Sequence, residues 1–352
     1  MNYNTQRVFA SSAVLTIAGA ALGLLAPSLA GAQAKALAPY AVSVFATSPP
    51  NATQPDSIVS WGDSIIVGFQ NHVAKDGSDG KSSTIVEFSA SGEVKRTFSV
   101  PGHNDGLRVV GDGKLWAVQN EDANPNLVVI DLESGAQTPY TFAPTPHGGG
   151  YDDIIVVHGE VYLTASNPNL DPQGVNVFPA LVRARLANGN VMLEPVLSGN
   201  AQAVDIPTGT AVTLNLTDPD SMTKDLKGNI VFTSQADSEL VFVGQVGTSH
   251  QTVGHLGITS TATGAGGALI TIDDTAFVPP GAACLLVSDV GSGTIYRVDR
   301  TFGFEPGQAY SASDTAGLVG TLNLDTGVLT PIVTGMSSAR GLLFVRSSHP
   351  RD

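Results

Sequence analysis

Five aspartates recur along the chain, each just ahead of a short apolar stretch: Asp56, Asp105, Asp152, Asp220 and Asp274. Asp153 follows Asp152 directly. Carboxylates gathered at one point raise one another's pKa unless a cation sits among them, and a hard divalent ion with oxygen ligands, Ca²⁺ above all, suits such a group. One carboxylate of such a set could also take a proton from water. His103 stands two residues before Asp105, and His147 five before Asp152. Their ring nitrogens suit a softer metal such as Zn²⁺, Mn²⁺ or Fe²⁺, or a proton relay. The competing expectation is local. Each Asp could cap its own turn by side-chain to backbone hydrogen bonds, and each His could tie down a rim turn.

What would gather these residues is a repeat. A leading Asp, a short apolar strand, a turn with Gly, Asp or Asn, and a second apolar strand recur in order. Pro55-Asp56-Ser57-Ile58-Val59 leads to Ser64–Phe69, and Asn104-Asp105-Gly106-Leu107 to Lys114–Val118. Asp152-Asp153-Ile154-Ile155-Val156 leads to Glu160–Thr164, Asp220-Ser221-Met222-Thr223 to Asn229–Thr233, and Asp274-Thr275-Ala276-Phe277 to Cys284–Ser288. A third strand follows each pair, at 84–88, 127–130, 181–184, 240–243 and 294–298, then a Gly-containing turn and a fourth strand. The leading aspartates are 49, 47, 68 and 54 residues apart, and the long interval holds a Gly/Pro/Thr-rich loop over 198–217. Four antiparallel strands with tight turns and a period near 50 describe the blade of a β-propeller.

The expected fold is therefore all-β, a propeller of four-stranded antiparallel blades. Six blades are expected, with five as the alternative. A sixth copy begins at Ala339-Arg340-Gly341-Leu342, with Arg340 in the acidic place, and 318–324 and 328–333 supply further strands. The segment 40–47 remains to join the C-terminal strand in one blade and close the ring, which removes free sheet edges. The inner strands line a central channel, so the leading residues meet at one mouth. His103, Asp105 and His147 are placed there as substrate contacts, and Asp56, Asp152, Asp153, Asp220 and Asp274 as metal ligands.

Composition agrees and excludes other classes. Of 352 residues, 39 are Gly and 21 Pro, hydrophobic residues make up 42% and charged residues 14%. That is too little charge for a coiled coil and too much apolar content for disorder. The single cysteine, Cys284, excludes a disulfide scaffold and sits in an apolar run that reads as core. Residues 1–34 read as a cleaved secretory signal: one charge, Arg7, an apolar run over 13–26, and an Ala32-Gln33-Ala34 site. The expected domain is 35–346, with a disordered tail over 347–352. The protein is then exported to the periplasm or beyond, with no membrane span and as a monomer. The net charge of −14 disfavours nucleic acid and anionic lipid as partners.

The residues also carry a family resemblance. Asn104-Asp105-Gly106, a Gly-Asp-Gly turn and Lys114-Leu115-Trp116-Ala117 resemble one blade of the gluconolactonase/regucalcin-type six-bladed propellers, with the related strictosidine-synthase-like proteins. Asp220-Ser221-Met222-Thr223 followed by Asp225–Ile230 resembles the Asp-Gly-Met blade of that family. The resemblance implies a calcium ligand and general base at Asp220, a first-blade ligand at Asp56, a ligand at Asp152 or Asp153, and a substrate contact at Asn104. It implies metal-assisted hydrolysis of a lactone or small ester. Three departures stand against it: Ser221 replaces the usual Gly, Tyr151-Asp152-Asp153 replaces a Pro-Asn-Gly, and Gly102 stands where an arginine is common. The alternative is a non-catalytic propeller that presents its loops to a protein or glycan partner. Asp76-Gly77-Ser78-Asp79-Gly80 lacks the later acid of a calcium loop and reads as a solvated hairpin. Glu121–Asn126 and Asn167–Asp171 are Asx/Pro loops able to rim a site.

Overall fold

In a computed structural model, residues 34–262 and 268–346 are described. The signal assigned to 1–34 lies outside them except for Ala34, as does the 347–352 tail. Every regular element among the described residues is a strand, and no helix is long and apolar enough to cross a membrane.

The protein is a β-propeller. Its first blade is the antiparallel sheet Pro55–Trp61, Ser64–Phe69, Ser82–Phe88 and Val94–Pro101. The second is Asn104–Val110, Lys114–Gln119, Asn126–Asp131 and Gln137–Phe142, and the third Tyr151–Val157, Glu160–Ala165, Pro179–Ala187 and Asn190–Ser198. These two join at their outer edges, where Thr141 pairs in parallel with Asn190. The fourth is Pro219–Lys224, Ile230–Ser234, Glu239–Gly244 and Thr252–Gly257. The 198–217 loop folds a hairpin, Gln202–Asp205 with Ala211–Thr213, onto its outer edge.

The last two blades interleave, which corrects the simple repeat. Thr275–Phe277 does not pair with the Cys284–Ser288 segment. It pairs with Ala309–Ser313, which continues to Leu318–Leu322 and Val328–Thr334. Ala282–Asp289 and Thr294–Arg300 instead join the closing blade, between Ala339–Arg346 inside and Tyr40–Thr47 outside. Pro280 and Gly281 form the turn between the two sheets, closed by the Ala282 amide on the Pro279 carbonyl at 3.2 Å with Gly281 at a φ of 76°. N- and C-terminal strands thus share one blade, which closes the ring without a disulfide.

The ring is read from packing as well. The inner strands that begin at Pro55, Asn104, Tyr151, Pro219, Thr275 and Ala339 each lie beside the next, and the last lies beside the first. Six apolar clusters fill the spaces between successive blades. Leu107 and Leu115 meet Ile66 and Ile85 in one of them, and Cys284 meets Phe69 and Phe88 in another. Second strands are covered on both faces, so Ser64–Phe69 is buried throughout. The outer Val94–Pro101 alternates because one face meets water.

Candidate metal centre at the channel mouth

The inner strands start with the same irregularity. Pro55 pairs with Phe69, yet the next paired residue is Ile58, with Val67. The same slip separates Asn104 from Leu107, Tyr151 from Ile154 and Pro219 from Met222, and in the closing blade Ala339 from Leu342. Each slip lifts two residues out of the ladder, as a β-bulge does when it re-aims side chains. The two places do different work.

The second place ties blade to blade. Ser57 Oγ accepts from the Leu107 amide at 3.1 Å, Asp153 Oδ2 from Met222 at 2.7 Å, and Asp274 Oδ2 from Leu342 at 2.7 Å. The other carboxylate oxygens of Asp153 and Asp274 accept from Ile154 and Thr275, both at 2.6 Å. Asp153 and Asp274, expected as metal ligands, are therefore committed to backbone. Between them sit Gly106 and Gly341, where an added Cβ would meet the Asp152 carbonyl oxygen at 2.5 Å and the Asp56 carbonyl oxygen at 2.3 Å. Only glycine lets the inner strands approach this closely.

The first place faces the mouth. It carries Asp56, Asp105, Asp152, Asp220 and Arg340, and Asp273 rather than Asp274 takes the fifth blade's share. These six residues surround one cavity of about 210 Å³, joined by Lys75, Glu121 and Gln235 from the loops above. Arg340 Nη1 lies 3.3 Å from Asp56 Oδ2, and its Nε 3.5 Å from Asp273 Oδ1. Gln70 donates to Asp56, and Gln235 to Asp273 at 3.1 Å. Across the mouth, His103 Nε2 faces Asp105 Oδ1 at 3.1 Å, and Lys75 Nζ faces Glu121 Oε1 at 2.5 Å. The Asp152 carboxyl sits beside those of Glu121 and Asp220, whose charges bear on it. Below, Arg108 from the second blade donates to the carbonyls of Ile154 at 2.7 Å and Met222 at 3.3 Å, and bridges the channel.

The electrostatics show how crowded this is. Burial raises Asp105 to about 7, helped by the Glu121 charge and opposed by His103. Burial raises Asp152 and Asp220 well above the usual carboxylate range, and the neighbouring acids add to it. Asp56 and Asp273 also rise through burial, against the pull of Arg340. Glu121 departs from this pattern: burial alone would raise it, but the Asp152 hydrogen bond and Lys75 hold it below its usual value. His103, which burial would lower, is lifted to about 9 by Asp105. Buried carboxylates this close repel one another unless a proton or a cation sits among them.

The donor set fits a divalent metal. One ligand atom each from His103, Asp105 and Glu121 lies within 4.8 Å of the others, and all three residues are buried. Asp105 Oδ2 is buried with no hydrogen-bond partner, and His103 Nε2 has only the Asp105 Oδ1 contact at 3.1 Å. His103 Nδ1 is 2.7 Å from the Val73 carbonyl oxygen, which turns Nε2 toward Asp105, as the outer partner of a metal-bound imidazole fixes the ring.

Of the residues expected to touch substrate, Asp105 lines the cavity, His103 stands behind it against Asp105, and two are elsewhere. Asn104 is fully buried between the first two blades, and its amide donates to the Val118 carbonyl at 2.9 Å. His147 is buried beside Tyr151, and its Nε2 meets the Gly150 carbonyl at 2.8 Å in its own turn. Neither lines the cavity. The Asp76–Gly80 segment is the expected solvated turn, with Asp76 and Asp79 accepting from nearby backbone amides. Glu121 comes from a loop read only as a rim, while Lys75, Gln70 and Gln235 carry no sequence signal.

No protein-family model matches the sequence, and no curated protein matches it. Among solved structures it is similar to a virginiamycin B lyase from Staphylococcus aureus, with 11% identity over 82% of this chain and 86% of that one, at a TM-score of 0.48. It is similar to a streptogramin B lyase at 14% identity, 82% and 85% coverage and a TM-score of 0.45. A protein named as a candidate gluconolactonase is 11% identical over 86% of this chain and 83% of that one, at a TM-score of 0.44. The propeller fold of this chain stands on its own strand pairing and packing.

Proposed function

We propose that the protein is an exported enzyme that hydrolyses a small ester or lactone at the channel mouth with a divalent metal ion. The observation that carries the reading is the buried Asp105 Oδ2, which has no hydrogen-bond partner, in a set with His103 and Glu121 whose ligand atoms lie within 4.8 Å of one another. His103, Asp105 and Glu121 would hold the ion. An imidazole among the donors favours Mn²⁺ or Zn²⁺ over Ca²⁺, which prefers oxygen alone. The bound ion would polarise a carbonyl and activate water.

The chain's own groups supply the rest. Val73 fixes the His103 ring, and Lys75 holds Glu121 in place. Asp220 lines the cavity outside the His103–Asp105–Glu121 set and is the group placed to accept a proton from water. Arg108 spans the channel beneath the mouth. A cavity of about 210 Å³ suits a small substrate.

The test is a panel of lactones and aryl esters assayed with chelator-stripped protein, alone and with Mn²⁺, Zn²⁺ or Ca²⁺. Hydrolysis that requires the ion, and that Asp220→Asn lowers at least a hundredfold with the ion still bound, supports the reading. Ion binding with no turnover on any substrate would leave a metal-bearing propeller that binds a protein or glycan.

A further inference from the structure

The mouth residues are arranged unequally around the ring. Five blades present an acid in the first bulge place or its equivalent, and the closing blade presents Arg340. Arg340 sits between its two ring neighbours, 3.3 Å from Asp56 and 3.5 Å from Asp273. The amides of Gln70 and Gln235 approach the same two acids from outside, at Asp56 and Asp273. Both acids of that half thus face a cation of the chain itself, through the Arg340 Nη1 hydrogen bond to Asp56 and the Nε contact with Asp273. The opposite half, formed by Asp105, Asp152 and Asp220 with Glu121, sets four acids against His103 and Lys75, with Gln70 reaching Asp105 Oδ1 at 3.5 Å, and its Asp105 Oδ2 has no partner.

We propose that Arg340 is a resident cation that occupies the place of a second metal ion, so that the mouth takes one divalent ion, on the side of the second to fourth blades. This rests on the metal reading above and adds where the ion lies and how many enter. A guanidinium suits the role because it keeps its charge and spreads its donors toward two carboxylates at once, which a hydrated ion can do only by losing its water. Arg340 is a positioning residue here. It sets the charge balance of the ring and touches neither the His103–Asp105–Glu121 set nor the ion.

The experiment counts ions. Chelator-stripped full-length protein is titrated with Mn²⁺ by calorimetry, and bound Mn²⁺ is counted by electron paramagnetic resonance. The expected result is one ion per chain for the wild type and for Arg340→Lys, and two for Arg340→Gln. One ion in both the wild type and Arg340→Gln, at equal affinity, would overturn the proposal and leave the metal reading intact. No ion in the wild type but one in Arg340→Gln would support the resident cation and overturn the metal reading. No ion in either would overturn both. If Arg340→Gln does not fold, the double variant Asp56→Asn with Asp273→Asn decides the matter. It is expected to bind one ion within tenfold of the wild-type affinity, whereas Asp105→Asn loses at least a hundredfold. Equal losses in the two would place the ion on the Arg340 side and overturn the proposal.

Discussion

Asp152 and Asp153 are neighbours in sequence, yet the structure gives them opposite roles, and replacing each in turn separates those roles. Asp153 accepts two backbone amides, from Ile154 at 2.6 Å and Met222 at 2.7 Å, and so links the third blade to the fourth. Asp153→Ala leaves both buried N–H groups without acceptors. A hydrogen bond to a charged group contributes about 1.5–3 kcal/mol, and removal of the buried carboxylate offsets part of the loss. The expected net cost is about 3 kcal/mol. With about 2.1 cal/mol/K of unfolding entropy per residue over roughly 310 residues, Tm falls by about 5 °C. Asp152→Asn removes no backbone acceptor and relieves repulsion with Glu121 and Asp220, so Tm of the metal-free protein should stay level or rise. Differential scanning calorimetry with chelator present reads the stabilities, and Mn²⁺ calorimetry reads the site. The assignment of the two bulge places is wrong if Asp152→Asn lowers Tm as much as Asp153→Ala, or if Asp153→Ala loses Mn²⁺ while its Tm is unchanged.

Further expectations concern other parts of the ring. Gly341→Ala puts a Cβ against the Asp56 carbonyl at 2.3 Å, backbone against backbone. It should cost about 3 kcal/mol, seen as a Tm loss at least as large as that of Asp153→Ala. His255 lies between Asp205 at 3.0 Å and Glu239 at 2.9 Å, and the hydrogen bonds to Glu239 and Asp205 raise its pKa. Its stabilisation is therefore complete below the unfolded value of about 6.5 and is lost as pH rises through the higher folded value. Urea unfolding across that window should show the slope in the wild type and lose it in His255→Gln. Asp274→Ala should resemble Asp153→Ala, since it releases the Leu342 amide, and should bind Mn²⁺ as the wild type does.

The sequence made the blades visible where each blade is local. The Asp–strand–turn–strand pattern survives because second strands are buried on both faces and hairpin turns are short. The interleaving of the last two blades was hidden because pairing between Thr275–Phe277 and Ala309–Ser313 spans a strand pair that belongs elsewhere. At the site, Asp56, Asp105, Asp152 and Asp220 were legible from their recurrence. Tandem acids were not: Asp152-Asp153 and Asp273-Asp274 differ by one bulge place, and a bulge is not written in residue type. Asn104 was drawn to the site by motif resemblance, but its amide serves the Val118 carbonyl. Glu121 and Lys75 reach the mouth from loops, and no periodicity marks a loop residue.

The central claim is that the mouth binds a divalent ion through His103, Asp105 and Glu121. The most direct measurement is thermal unfolding of chelator-stripped protein titrated with Mn²⁺, Zn²⁺ and Ca²⁺, beside Asp105→Asn. At an ion concentration a hundred times Kd, binding to the folded state alone adds about 2.7 kcal/mol, or about 4 °C by the same entropy per residue. That rise is expected in the wild type with Mn²⁺ or Zn²⁺, and its absence in Asp105→Asn. A wild-type midpoint that none of the three ions moves, or a rise that Asp105→Asn keeps in full, would contradict it.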